Sequence, residues 1–519
     1  MHWWQTGILY QIYPRSFQDA DGDGVGDLPG IIARLPYLAD LGVNAIWLSP
    51  VFVSPMADFG YDIADYCAID PLFGALTDFD ALLDATHRHG LKLLLDLVPN
   101  HTSDKHPWFI ESRAARNNPR RDWYIWRGPA PGGGPPNNWL SEFGGTAWQL
   151  DALTGQYYYH AFLKEQPDLN WRNSQVAHAI HEVMRFWLRR GVDGFRIDAI
   201  WHLIKDDQFR DNPPNPDFSA GDKPYKRLTP LYSTDRPEVH DAIHGMRKVI
   251  DEFPERVMIA EAYMPVEKLA AYYGRDLAGA HLPFNFTLID TPFESRAIAA
   301  LIERYEKALP EGAWPNWVMG NHDRPRLASR IGPENAALAA VLLLTLRGTP
   351  TLYYGDEIGM CQVDIPPGRM RDPAAADVPG RDGARTPMRW DASRFAGFSS
   401  VEPWLPLGDY AADNVAAERA AAGSLLNLYR RLIAVRRNSR ALGEGRIRLL
   451  AVTASTLSFL REAGGEAAVV ALNFGDGPAA LTLSADAGTV LVASGRYVAG
   501  DTVGREIDLP GRAGAVVAL

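Results

Sequence analysis

Two cysteines, Cys67 and Cys361, are all that 519 residues carry, and they stand far apart in no metal-ligand spacing. A disulfide framework and a cysteine zinc site are thereby excluded. No apolar run approaches the ~18 residues a membrane span needs. The opening MHWWQTGILYQIYPRSF has no charged segment followed by an apolar one, so a secretory leader is not expected and a cytoplasmic location is the reading. Concentrated positive charge is absent too: there is no basic tail or Lys/Arg run, and the net charge is -11. Nucleic acid and anionic membrane are therefore poor partners, and small neutral ligands fit better. Aromatic residues, by contrast, are plentiful, with 15 Trp and 20 Tyr. Sugar rings present apolar faces on which such rings stack, although composition alone does not separate that use from core packing.

The length implies one large domain with one or two smaller ones. Three segments share a layout: ADLGVNAIWLSP (39–50), HRHGLKLLLDLVP (87–99) and LRRGVDGFRIDA (188–199). Each ends a helix at a glycine (Gly42, Gly90, Gly191), enters a short apolar run and stops at polar residues. Ile31, Leu35 and Leu38 form one helical stripe after Pro29, and Val176, Ile180, Val183 and Trp187 form another. Helix, glycine and buried strand in repetition specify a parallel α/β sheet. Candidate strands at 7–13, 45–49, 92–98, 194–198, 256–261, 280–286, 317–321 and 349–354 number eight, which predicts a (β/α)8 TIM barrel with chemistry at the C-terminal strand ends.

The barrel is expected over 1–100 and 172–445, interrupted after strand three by an inserted subdomain at 101–171 with a hairpin in WQLDALTGQYYYHAF. A second excursion follows strand eight at about 355–400, and an Ala-rich helical stretch lies near 411–440. Alternating runs from 446 to 519 predict a C-terminal antiparallel β-sandwich domain.

Polar residues at the strand ends carry the chemistry: Asp96, Asn100 and His101 after strand three, Arg196 and Asp198 ending strand four, Glu261 ending strand five, and Asn321, His322 and Asp323 after strand seven. Singly, each has an ordinary reading, because a strand-end Asp or Asn caps the next helix and Arg196 pairs with Asp198. Four such clusters on one rim exceed what stability requires. Three carboxylates, two imidazoles and an arginine suit glycosidic cleavage, in which one carboxylate meets an oxocarbenium-like carbon and a protonated carboxyl releases the leaving oxygen. Arg196 shares a strand face with Asp198 and holds it ionised. Crowding would push one carboxyl pKa upward, which suits Glu261 as general acid.

DLVPNH (96–101), GFRIDA (194–199), Glu261, GNHD (320–323), QPDLN (166–170), GYDIADY (60–66) and RTPMRW (385–390) together resemble the α-amylase superfamily, glycoside hydrolase family 13. Within it they are similar to the oligo-1,6-glucosidase and α-glucosidase branch, over essentially the whole chain. The resemblance implies a retaining double displacement with Asp198 as nucleophile, Glu261 as acid/base and Asp323 gripping ring hydroxyls. It further implies that Asp62, His101, Arg196 and His322 line the subsite for the non-reducing glucose, that Tyr61 stacks under that ring, and that Arg389 pairs with Asp62 to close the pocket. Phe143 and Phe162 are the candidates for the pocket wall. A closed pocket favours exo action on short α-glucosides over starch. Ala199 stands where isomaltose-cleaving relatives carry Val, which favours α-1,4 links or sucrose. Two alternatives are a glucosyltransferase or isomerase acting on sucrose or maltose, and a non-catalytic subunit of the same fold. The intact carboxylates speak against the last.

DADGDGVGD (19–27) places carboxylates at positions 1, 3, 5 and 9 of an EF-hand-like loop, with Gly24 at the turn and Val25 offering its carbonyl at 7. Position 12 is Gly30 rather than Glu, so no EF-hand is expected. Asp19, Asp21, Asp23 and Asp27 with the Val25 carbonyl are the candidate ligands of one structural cation. Calcium is implied by the resemblance, and magnesium would serve a smaller shell.

Overall fold

The computed structural model describes residues 1–373 and 380–519. Among them, eight parallel strands make the central sheet: β1 (Leu9–Ile12), β2 (Ala45–Leu48), β3 (Lys92–Leu97), β4 (Gly194–Ile197), β5 (Val257–Glu261), β6 (Leu282–Phe284), β7 (Asn316–Val318) and β8 (Thr349–Tyr353). They run in the order β6-β5-β4-β3-β2-β1-β8-β7. A side chain bridges the seam between β6 and β7: Asn316 accepts the Asn285 N–H at 2.9 Å and donates to the carbonyl of Pro283. The result is the TIM barrel that the helix-glycine-strand repeat predicts. Strands six and seven are shorter than the 280–286 and 317–321 expected, because residues such as Gly320 and Asn321 have left the ladder for the rim.

Side chains alternate across each strand, and the two faces separate cleanly. Leu9, Ala45, Trp47, Leu94, Val257, Ile259, Phe284 and Val318 pack together inside the barrel. Tyr10, Ile12, Ile46, Leu48, Leu93 and Leu95 instead join the larger core beneath the helices. On the inner face the apolar rungs give way toward the C-terminal ends to Gln11, Asp96, Arg196 and Glu261, all buried. Gly194 lets β4 approach β5, since a Cβ there would stand 2.1 Å from the Val257 carbonyl oxygen.

Helices α1 (Leu28–Leu41), α2 (Leu76–Arg88) and α3 (Ser174–Arg190) follow the expected pattern. Asp27 and Asn173 cap the first and third by accepting the amides of Gly30 and Gln175, and left-handed Gly42 and Gly191 end them. Between β3 and α3 the chain builds a helix (Pro107–Ala114) and a three-stranded antiparallel sheet, Trp126–Arg127, Gln156–Tyr159 and Trp148–Asp151, with Gln156–Tyr159 central. The hairpin lies where the sequence places it. Beyond the helix Leu425–Asn438, a six-stranded antiparallel sheet begins at Arg446 and ends at Ala518, accompanied by the pair Ala479–Thr482 and Glu506–Leu509. Val469, Ala471, Leu481, Val490, Ile507 and Val517 form their shared core. Among the described residues no helix is long and apolar enough to cross a membrane.

Candidate active site

Arg196, fully buried on β4, organises the rim. Its Nη1 donates to Asp96 Oδ1 at 2.8 Å and Asp198 Oδ1 at 2.7 Å, and its Nη2 lies 2.7 Å from Glu261 Oε1. Burial opposes the guanidinium charge, but Asp96, Glu261, Tyr61 and Asp198 outweigh it and hold Arg196 protonated. One cation thus serves three carboxyls. Burial pushes Asp96 up to about 7 against the pull of Arg196, and it pushes Asp198 well above the usual carboxylate range, with the Glu261 charge adding to it. Asp198 and Glu261 lie within hydrogen-bond reach of each other. The upward push expected from crowded carboxyls shows on Asp198.

The backbone after β4 contributes as well. Ala199 adopts a left-handed conformation (φ 44°, ψ 42°), and its N–H donates to Glu261 Oε2 at 2.9 Å. Such a conformation costs a residue with a Cβ about 1–2 kcal/mol and is typical of functional turns.

Asp323 is held from the other side. Arg385 Nη2 and Arg381 Nη1 donate to its Oδ1 at 2.8 and 3.1 Å, and His322 Nε2 lies 3.2 Å from Oδ2. Burial works against its charge, yet His322, Arg381 and Arg385 hold it ionised well below the usual range. Burial pushes His322 down to about 3, so its ring is neutral. The Gln11 amide donates to Nδ1 at 2.8 Å, which leaves Nε2–H to donate to the Tyr61 hydroxyl oxygen at 2.7 Å. Tyr61 stacks its ring on His322 at 5.3 Å and donates its hydroxyl to Asp96 Oδ2 at 3.0 Å. His101, pushed down to about 4 by burial, contacts the Tyr61 carbonyl and the Gln166 amide, each at 3.1 Å. Phe162 stands 5.2 Å from the His101 ring and 6.3 Å from Phe143, over which the Arg381 guanidinium lies at 5.3 Å.

The expected pair of Asp62 and Arg389 does not form. Asp62 turns inward, accepting from Ser54 Oγ and the amides of Ala57 and Asp58, and burial pushes it up to about 6. Arg389 donates its Nε to the Leu407 carbonyl at 3.1 Å. Neighbouring residues form the ion pairs instead. Asp58 accepts from Arg381 Nη2 at 2.6 Å and from the Gln166 amide, while Arg385 holds Asp323. Sequence reasoning missed Asp58, Arg381 and Arg385, although each lies in or next to a motif it used.

In the loop 19–27, Asp19, Asp21 and Asp27 each bring one carboxylate oxygen within 4.8 Å of the others, a spacing that fits a cation accepting oxygens at ~2.3–2.6 Å. Asp23 is outside this group, and its Oδ1 accepts the Val25 N–H at 2.7 Å. Asp27 also serves the Gly30 amide of α1, and Asp19 accepts from the Gly24 amide and Ser399 Oγ.

A catalytic rim on a TIM barrel is therefore defined by three carboxyls on one guanidinium, opposite an ionised aspartate clamped by two arginines. The α-amylase catalytic domain model matches residues 11–445, and the chain belongs to that family of glycoside hydrolases. It is 43% identical over 495 residues to a probable alpha-glucosidase of Rhizobium meliloti strain 1021, covering 91% of this chain and 90% of that protein. It is 39% identical over 515 residues to an oligo-1,6-glucosidase of Halalkalibacterium halodurans, covering 91% and 90%. Among solved structures it resembles the alpha-glucosyl transfer enzyme XgtA (TM-score 0.94, 41% identity, 100% and 99% covered). It also resembles the trehalulose synthase MutB of Pseudomonas mesoacidophila (TM-score 0.91, 32% identity, 100% and 99% covered).

Because burial raises the carboxyls of Asp96 and Asp198 above their ordinary range, raising pH adds negative charge to the Arg196 cluster. Arg196→Met should therefore lower the melting temperature more at pH 8 than at pH 5, where protonation replaces the lost cation. Equal deficits at both values would contradict this electrostatic role.

Proposed function

We propose that this chain is a retaining, exo-acting α-glucosidase that releases glucose from the non-reducing end of short neutral α-glucosides through a covalent glucosyl-enzyme. The observation that carries the reading is the shared guanidinium between Asp198 and Glu261. It keeps the two carboxyls in direct contact range, the close spacing that suits attack by a carboxylate rather than by an intervening water.

In the first step an Asp198 oxygen attacks the anomeric carbon, the glycosidic C–O bond breaks, and Glu261 gives its proton to the departing oxygen. Water or another hydroxyl then attacks the same carbon, its proton passes to Glu261, and the bond to Asp198 breaks. Asp323, kept ionised by its arginines, accepts hydrogen bonds from ring hydroxyls, with His101 as a donor and neutral His322 lining the pocket beside it. The ionic knot of Asp58, Arg381, Arg385 and Asp323 bounds the pocket, which suits exo action. Transfer to a sugar hydroxyl competes with hydrolysis, and the likeness to a glucosyl transfer enzyme favours that second outcome as a side activity.

Ala199 supports α-1,4 links or sucrose over α-1,6. Asp19, Asp21 and Asp27 would hold a divalent cation, calcium by preference and magnesium as substitute. Its chemistry is structural, neutralising crowded carboxylates, with the Val25 carbonyl as a further ligand.

Asp198→Asn and Glu261→Gln should each lower α-glucoside hydrolysis by about 10³-fold or more with the melting temperature nearly unchanged. On one panel of maltose, isomaltose, sucrose and trehalose the unaltered protein should favour maltose or sucrose. Full activity in either variant would sink the mechanism, and dominant isomaltose cleavage would refute the reading of Ala199. Chelation with EDTA should lower the melting temperature and expose the 19–27 loop to protease, whereas no change in either would remove the cation from the account.

A further inference from the structure

His202 is a buried histidine with nothing to do in the protein alone. It is 2% exposed, and neither ring nitrogen has a hydrogen-bond partner among the described residues. Burial holds the ring neutral, so one nitrogen is an idle donor and the other an idle acceptor. Buried polar atoms are nearly always paired, and an orphaned pair beside a reactive cleft calls for a ligand. Glu142 faces it, with Oε1 3.7 Å from His202 Nε2, too long for a direct bond. The Glu142 side chain is 29% exposed and hydrogen-bonded to Tyr225.

These groups adjoin the glucose site rather than belong to it. The Phe162 ring stands 5.2 Å from both His101 and His202, forming a partition between them. Phe143, next to Glu142, lies under Arg381. Lys223, which acts on Glu142, also feels Arg324, Arg381 and Asp323, and Tyr225 feels Arg324 and Tyr263. Three separate segments, at 142–143, 201–202 and 223–226, thus converge on the side of the rim away from the Asp58 knot.

We propose that Glu142, His202 and Tyr225 form the acceptor side of the site, hydrogen-bonding hydroxyls of a second neutral sugar, so that Glu142 sets how the glucosyl group is divided between sugar and water. The inference rests on the glucosyl-enzyme chemistry proposed above. In the transfer step the acceptor hydroxyl oxygen bonds the anomeric carbon, its proton goes to Glu261, and the bond to Asp198 breaks. Glu142 exchanges no proton in that step; it holds the acceptor. Burial pushes its carboxyl up to about 7 against Tyr225, Lys223 and Lys226. Above that value it becomes a carboxylate that accepts from two hydroxyls, a stronger grip than the neutral acid offers.

The test uses p-nitrophenyl α-glucoside as donor and D-xylose as acceptor, with glucose and glucosyl-xylose quantified by chromatography at pH 5.5 and 8.5. Their ratio cancels any effect of pH on Asp198 and the glucosyl-enzyme, through which both outcomes pass. The transfer-to-hydrolysis ratio should rise about threefold or more with pH in the unaltered protein. In Glu142→Gln it should be about fivefold lower at pH 8.5, the worth of one hydrogen bond, and flat with pH. His202→Phe should lower the ratio and raise the xylose concentration needed for half-maximal transfer. A pH step that survives in Glu142→Gln, or an unchanged ratio in both variants, overturns the inference while leaving the hydrolase reading intact. Absence of any α-glucoside turnover by the unaltered protein overturns both.

Discussion

Arg196 sits where the apolar interior of the barrel gives way to its reactive rim, and its contacts with Asp96, Asp198 and Glu261 govern both. Buried carboxyls without a cation would take up protons or unfold their surroundings. Removing one partner from a buried ion pair costs ~3–5 kcal/mol. Strand geometry makes the arrangement possible, because Arg196 and Asp198 share a face of the β4 segment and Gly194 allows β5 close enough for Glu261 to reach the same guanidinium. The barrel core thereby fixes the spacing on which the choice between nucleophilic attack and water-mediated inversion depends.

A second set of charges is built from segments that are not strands. Arg381 and Arg385 come from the excursion after β8 and reach across to Asp323 and Asp58. That excursion is anchored to the 19–27 loop, where Asp19 N–H donates to the Phe398 carbonyl at 3.0 Å and Trp404 N–H donates to the Gly24 carbonyl at 2.9 Å. A cation that neutralises Asp19, Asp21 and Asp27 would steady the same loop. The proposed metal is therefore coupled to the pocket end through packing, without touching substrate.

The sequence made the barrel legible because its repeat is local: helix, left-handed glycine and apolar strand recur within short windows, and alternation on each strand exposes the polar end of the inner face. The carboxylates at strand ends were legible for the same reason. The pocket's ionic knot was not. Asp58 and Asp62 lie four residues apart, as do Arg385 and Arg389, and both pairs are chemically equivalent on paper. Only the turn at 54–62, which spends Asp62 on the amides of Ala57 and Asp58, decides between them. Asp23 stands outside the carboxylate cluster although its spacing in the sequence matches the others. Glu142 and His202 gave no sequence signal, since a buried imidazole without partners is visible only once three distant segments are brought together.

Everything rests on Asp198 forming a bond to the anomeric carbon, and stereochemistry reports on that bond directly. Two displacements at one carbon restore its configuration, whereas one inverts it. Proton NMR of the first turnovers on p-nitrophenyl α-glucoside, recorded before the released glucose mutarotates, reads the outcome. The account predicts that α-glucose appears first and the β anomer only later; β-glucose as the initial product would contradict it.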